Sequence, residues 1–111
     1  RESELTAIVN LAYLSARDEY DIQREDQSGK GYVDFIFYPR YDRHADCMIV
    51  ELKVDHSAKE AVEQIKQKNY AVRFRGKLAE EPRYTGRILA VGIAYDRKTK
   101  EHTCEIEVLE R

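Results

Sequence analysis

Apolar side chains near the start of the chain recur at helical spacing. Leu5, Ile8, Val9 and Ala12 share a face, Leu11 and Leu14 widen it, and Ser3 can cap the first turn, which predicts a largely buried helix from Ser3 to about Arg17. A short strand is expected over Tyr20 to Arg24, and Ser28-Gly29-Lys30-Gly31 reads as a turn. The pattern then becomes aromatic and β-branched. Gly31 to Tyr38 predicts a strand that Pro39 closes, Arg40 to Asp46 a hairpin loop, and Cys47 to Val54 a second strand. That second strand is nearly continuous in apolar residues and is therefore expected at the centre of a sheet. Ser57-Ala58-Lys59-Glu60 has the form of a capping box. Behind it Ala58, Ala61, Val62, Ile65 and Asn69 line one face of a helix running from about Ser57 to beyond Tyr70. Pro82 and Gly86 bracket the exit loop, Arg87 to Tyr95 is a third core strand, and Asp96 to Lys100 a polar turn. His102 to Leu109 alternates, with Cys104, Ile106 and Val108 on one face and Thr103, Glu105 and Glu107 on the face expected in water.

The element order is α-β-β-β-α-β-β, which calls for an α/β (α+β) sandwich around a central mixed sheet of about five strands flanked by helices. A length of 111 residues suits one domain spanning 1–111. The chain opens on Arg1, and Met48 is its single methionine, so a fragment of a longer protein is expected. With 42% hydrophobic and 36% charged residues the composition fits neither a disordered chain nor a membrane span. The longest apolar run, Ile88 to Tyr95, is far short of the roughly 20 residues needed to cross a bilayer. Cys47 and Cys104 both fall in strand-like runs and have no second ligand at metal-binding spacing. Two buried free thiols in a reducing, cytoplasmic setting are expected.

The net charge of -2 argues against a protein that coats nucleic acid, but the charge is unevenly distributed. Residues 1–26 carry three basic and seven acidic side chains, a local net of -4. Residues 66–87 carry Lys66, Lys68, Arg73, Arg75, Lys77, Arg83 and Arg87 against Glu80 and Glu81, a local net of +5. The second segment is either a solvated face or a surface for phosphates.

The candidate chemistry lies in the two apolar strands. Alternate residues share a face, so Met48, Val50, Leu52 and Val54 point to a core, while Cys47, Ile49, Glu51 and Lys53 occupy the opposite side. A carboxylate and an ammonium on a central strand each cost several kcal/mol to dehydrate unless partnered. Asp34 interrupts the preceding strand in the same way. A hairpin centred near position 43 makes paired residue numbers sum to about 86, which sets Asp34 beside Glu51 or Lys53. Two carboxylates so close repel unless a cation lies between them, and hard oxygen donors suit Mg²⁺ or Mn²⁺. Lys53 would then stand next to a metal-bound water. An Asp-Lys-Glu ion network that merely holds the hairpin is the competing reading.

The whole arrangement, Gly31-Tyr-Val-Asp34, then Ile49-Val-Glu51-Leu-Lys53-Val, then Ala61-Val-Glu-Gln64-Ile-Lys-Gln-Lys68-Asn-Tyr70, then Leu89 to Ala94, resembles the PD-(D/E)XK nuclease superfamily. It is most similar to the branch found at the C-terminal end of bacterial proteins carrying an AAA-ATPase-like domain. The resemblance implies a restriction-endonuclease-like core and hydrolysis of DNA. It assigns Mg²⁺ or Mn²⁺ to Asp34 and Glu51, with the Leu52 backbone carbonyl as a further ligand. Lys53 would assist the attacking water and Gln64 would sit near the site. The first-helix glutamate of many members corresponds best to Glu4, with Glu2 and Glu19 as competitors. Val33 stands where the namesake proline would be.

Lys66, Lys68, Arg73, Arg75 and Lys77 are the candidate DNA contacts. Tyr70, Phe74 and Tyr84, interleaved with them, could stack on bases. His44 and His56 are expected in solvent. An ATPase-like domain of the parent protein is the implied partner, and nothing speaks against a homodimer. The alternative to a Mg²⁺-dependent nuclease is an inactive nuclease-like module that binds DNA or protein on behalf of that ATPase.

Overall fold

The computed structural model describes residues 17–27, 32–68, 74 and 84–110, and of residues 25–27, 32–34 and 110 the backbone alone. The expected first helix and the turn at 28–31 lie outside this set. Five strands form one sheet in chain order: β1 (Tyr20–Gln27), β2 (Tyr32–Pro39), β3 (Cys47–Val54), β4 (Ile88–Tyr95) and β5 (His102–Glu110). β1–β2, β2–β3 and β4–β5 pair antiparallel through short connections. β3 and β4 are parallel and are joined through α1 (Ala58–Lys68), the kind of crossover that parallel neighbours require. The mixed sheet and its order follow the expected architecture.

β3 is central and buried on both faces, as its composition anticipates. One core joins Ile36, Cys47, Ile49, Ile88 and Ala90 to Val62 and Ile65 of α1. A second joins Phe35, Phe37, Val50, Leu52 and Tyr95 on the reverse face. Phe74 is a correction to the sequence expectation. It is 4% exposed and packs on Tyr38 and Tyr84, ring centroids 5.0 and 5.9 Å away, so it is a core aromatic and not a base-stacking platform.

Cys104 and β5 are corrected as well. Cys47 is buried, but Cys104 is exposed, and Ile106 is 61% exposed. Among the described residues β5 closes the sheet, paired with β4. Its polar side is the one turned to α1: Glu107 accepts an ion pair from Lys66 at 2.9 Å, and Leu109 packs onto the α1-side core. No helix among the described residues is long and apolar enough to cross a membrane.

The capping box at the start of α1 forms as its spacing requires. Glu60 N donates to Ser57 Oγ at 3.0 Å, and Ser57 N donates to Glu60 Oε1 at 3.3 Å. His56, exposed as expected, adds a contact to Glu60 Oε2 at 3.1 Å. Just before the cap, Asp55 takes φ 60°, a left-handed conformation that Asp and Asn tolerate. Its carboxylate accepts from Arg97 N at 2.9 Å and Arg97 Nε at 2.6 Å, fastening the β3–α1 turn to the β4–β5 turn.

The Arg97 backbone amide, and then its guanidinium, hold the Asp55 carboxyl below its ordinary value of 3.8. A depressed folded-state value contributes stability that is complete above the unfolded pKa and fades as pH falls through the folded one. Asp55→Asn keeps the backbone conformation and removes the titrating charge. The melting-temperature gap between wild type and Asp55→Asn is therefore expected to be widest near neutrality and to shrink below about pH 4. A gap unchanged by acid would show that the carboxylate's charge contributes nothing.

Candidate active site

The β2–β3 hairpin places Asp34 directly opposite Glu51, with Phe35 opposite Val50 and Ile36 opposite Ile49. Of the two neighbours the hairpin arithmetic allowed, the register selects Glu51. Directly opposed residues of an antiparallel pair lie on one face of the sheet, and here that is the face covered by α1.

Glu51 is 0% exposed and Lys53 is 6% exposed, two of the least favourable side chains to bury. Glu51 is answered from the helix. Lys68 Nζ donates to Glu51 Oε1 at 2.9 Å. Side chains on a helix tilt toward its N-terminus, so Lys68, in the last turn, reaches back over the preceding turn to the strand beneath. The other oxygen, Glu51 Oε2, is buried and accepts no hydrogen bond from the described residues.

Lys53 opens onto a groove of about 470 Å³ between the end of β3 and α1, where Ser57, Glu60, Glu63, Gln64 and Gln67 are its neighbours. Gln64, half-buried, lines the same groove as Lys53, and it lies one turn before Lys68. The helix can ride this close because of Gly92, which sits beside Glu51 in the parallel β3–β4 register. A Cβ at Gly92 would come within 2.9 Å of the Ala61 Cβ and closer still to the Ala58 carbonyl oxygen.

The register thus sets Asp34 opposite Glu51, Lys53 and Gln64 line one groove, and Leu52 stands between the two charged β3 residues in sequence. Lys68 joins them at Glu51. Its spacing with Ala61 and Ile65, four and then three residues apart, already put it on the sheet-facing side of the helix. Gly92 carried no such signal, since a glycine in a strand does not reveal what approaches it.

Of the candidate DNA contacts, Lys66 is bound to Glu107 and lies 3.5 Å from Glu63, which raises its pKa, the Glu107 hydrogen bond contributing most. Glu4, Tyr70, Arg73, Arg75 and Lys77 lie outside the described residues. Arg87, from the same basic stretch, forms a two-pronged pair with Asp46 at 2.9 and 2.7 Å that lowers the Asp46 pKa.

A divalent ion at this place would draw on two carboxylates and a main-chain carbonyl. Hard oxygen donors of this number and charge suit an ion that keeps several of its waters. Among the described residues no group of three or more His, Cys, Asp or Glu side chains assembles that could hold a metal ion by itself.

No curated protein and no solved structure gives a significant match to the chain. A family model does, over residues 2–105, and its span takes in both strands of the hairpin, the Glu-x-Lys of β3, the crossover helix and β4. With the opposed acidic pair, the buried lysine two residues on and the mixed sheet that holds them, this match makes the chain a member of the PD-(D/E)XK nuclease superfamily.

Proposed function

We propose that this domain hydrolyses phosphodiester bonds of DNA, with Mg²⁺ or Mn²⁺ held by Asp34, Glu51 and the Leu52 carbonyl, and with Glu4, outside the described residues, as a further candidate ligand. The observation that carries the reading is the register that opposes Asp34 to a wholly buried Glu51, two residues from a buried Lys53. A bound metal would polarise a phosphoryl oxygen and make a water more acidic. Lys53 Nζ, on the groove, would donate a hydrogen bond to the attacking water or to the charged phosphoryl oxygen. The Gln64 amide, across the groove, would orient the same groups. Little solvent reaches Lys53, which strengthens these interactions relative to water.

DNA would be gripped by the basic segment, through Lys66, Arg73, Arg75 and Lys77, with Tyr70 available for stacking. Affinity should then fall steeply with salt. Association with an ATPase-like domain of the parent protein, a cytoplasmic setting and a homodimer belong to the same proposal.

The test is incubation with plasmid, linear and branched DNA in Mg²⁺ or Mn²⁺. Metal-dependent cleavage that disappears in Glu51→Gln is expected, and cleavage that survives that change refutes the site. One observation favours a second reading. Lys68 on Glu51 and Lys66 on Glu107 are ion pairs of the kind a purely structural domain would also make. DNA binding without turnover, and a melting temperature indifferent to Mn²⁺, would identify an inactive module serving its ATPase partner.

A further inference from the structure

The Lys68–Glu51 pair has a consequence for metal binding, which rests on the reading of Asp34 and Glu51 as the metal's carboxylates. A dication bound at Glu51 would meet the Lys68 ammonium on the same carboxylate, where Glu51 is 0% exposed and solvent screens little. Two cations at one buried carboxylate repel, so of the lysines on this face, Lys53 and Lys68, one ammonium must give way.

The two lysines differ in their freedom to do so. Lys53 is anchored on the central strand and 6% exposed. The Lys68 side chain is 21% exposed and comes from the last turn of α1, and it is Lys68 Nζ that occupies Glu51 Oε1. A four-carbon stem with several rotatable bonds can swing such a head group to water without moving the helix.

We propose that Lys68 is a resident counter-ion: its ammonium holds the Glu51 carboxylate in place in the metal-free protein, and a divalent cation binds by displacing it. Lys68 is a positioning residue in this scheme. It holds a buried carboxylate in place and weakens the apparent affinity for metal. Displacement and binding are linked, so a weaker Lys68 contact means tighter metal binding.

The experiment measures Mn²⁺ binding to the whole domain by the loss of the free-ion electron paramagnetic resonance signal, without DNA. Wild type is compared with Lys68→Gln, Lys68→Met and Glu51→Gln. Lys68→Gln retains a hydrogen-bond donor for Glu51, which keeps a folded variant available if Lys68→Met is too unstable. Lys68→Gln is expected to bind Mn²⁺ about tenfold more tightly than wild type, within the usual range for coupled sites. Its melting temperature should also rise more on adding Mn²⁺ than that of wild type. Mn²⁺ affinity equal to or weaker than wild type in Lys68→Gln, with binding lost in Glu51→Gln, would overturn the counter-ion role and leave the metal site standing. Unchanged binding in Glu51→Gln would instead remove the metal site itself, and the proposal with it.

Discussion

Lys53→Met is expected to lower the rate of DNA cleavage by roughly 10²–10³-fold, the usual loss when one preorganised donor to developing charge is removed. Methionine retains most of the apolar stem and removes the ammonium, so the packing of β3 against α1 should survive. The loss should appear in the single-turnover rate at saturating DNA and leave Mn²⁺ binding intact, because the lysine acts on the water or the phosphoryl oxygen and not on the metal. Lys53→Arg is a demanding control. A guanidinium keeps the charge but spreads it over a rigid plane, which a groove end built for an ammonium cannot place identically. Cleavage within a few-fold of wild type in Lys53→Met would show that its burial serves only to balance Glu51.

The contrast between Lys53 and Lys68 also marks how far the residues could be read without coordinates. β3, with all eight of its residues apolar or in the Glu-x-Lys pair, could only be a central strand, and the loop length set the hairpin register to within one residue. Ser57 and Glu60 announced the helix start through chemistry confined to one turn. Those features depend on neighbours in sequence. The fate of Lys68 depends on which strand runs beneath the last turn of α1, and charge counting alone assigned it to phosphates along with Lys66. Phe74 reads like Tyr70 for the same reason, since flanking arginines are visible in sequence and a partner 36 positions away, Tyr38, is not. Cys104 and Ile106 failed in the opposite sense. Strict alternation signals two unlike faces but does not say which of them a helix will cover.

Gly92→Ala should destabilise the domain and impair the site together. A glycine replaced by alanine in a compatible strand position ordinarily gains about 0.4–1 kcal/mol, because the unfolded chain has fewer conformations to lose. Here the added methyl would meet the Ala58 carbonyl oxygen, which belongs to the first turn of α1 and has no rotamer to escape into, and the Ala61 Cβ at 2.9 Å. Val62 Cγ2, at 3.1 Å, could yield slightly, but the backbone could do so only by lifting the helix. Overpacking of this kind costs typically 1–3 kcal/mol and outweighs the entropic gain. Each kcal/mol should lower the melting temperature of a domain this size by about 4–8 °C. The larger effect is functional. α1 carries Gln64 along the groove that Lys53 opens onto, beside the strand neighbour of Gly92, so lifting the helix moves the Gln64 amide away from the lysine. A displacement near 1 Å costs about 10²-fold in rate when reacting groups must align. Gly92→Ala is therefore expected to lose more cleavage activity at low temperature, where it remains folded, than its melting temperature alone would explain. A variant with wild-type melting and wild-type cleavage would mean that α1 can shift without consequence, and that its close approach to β4 does not position the site.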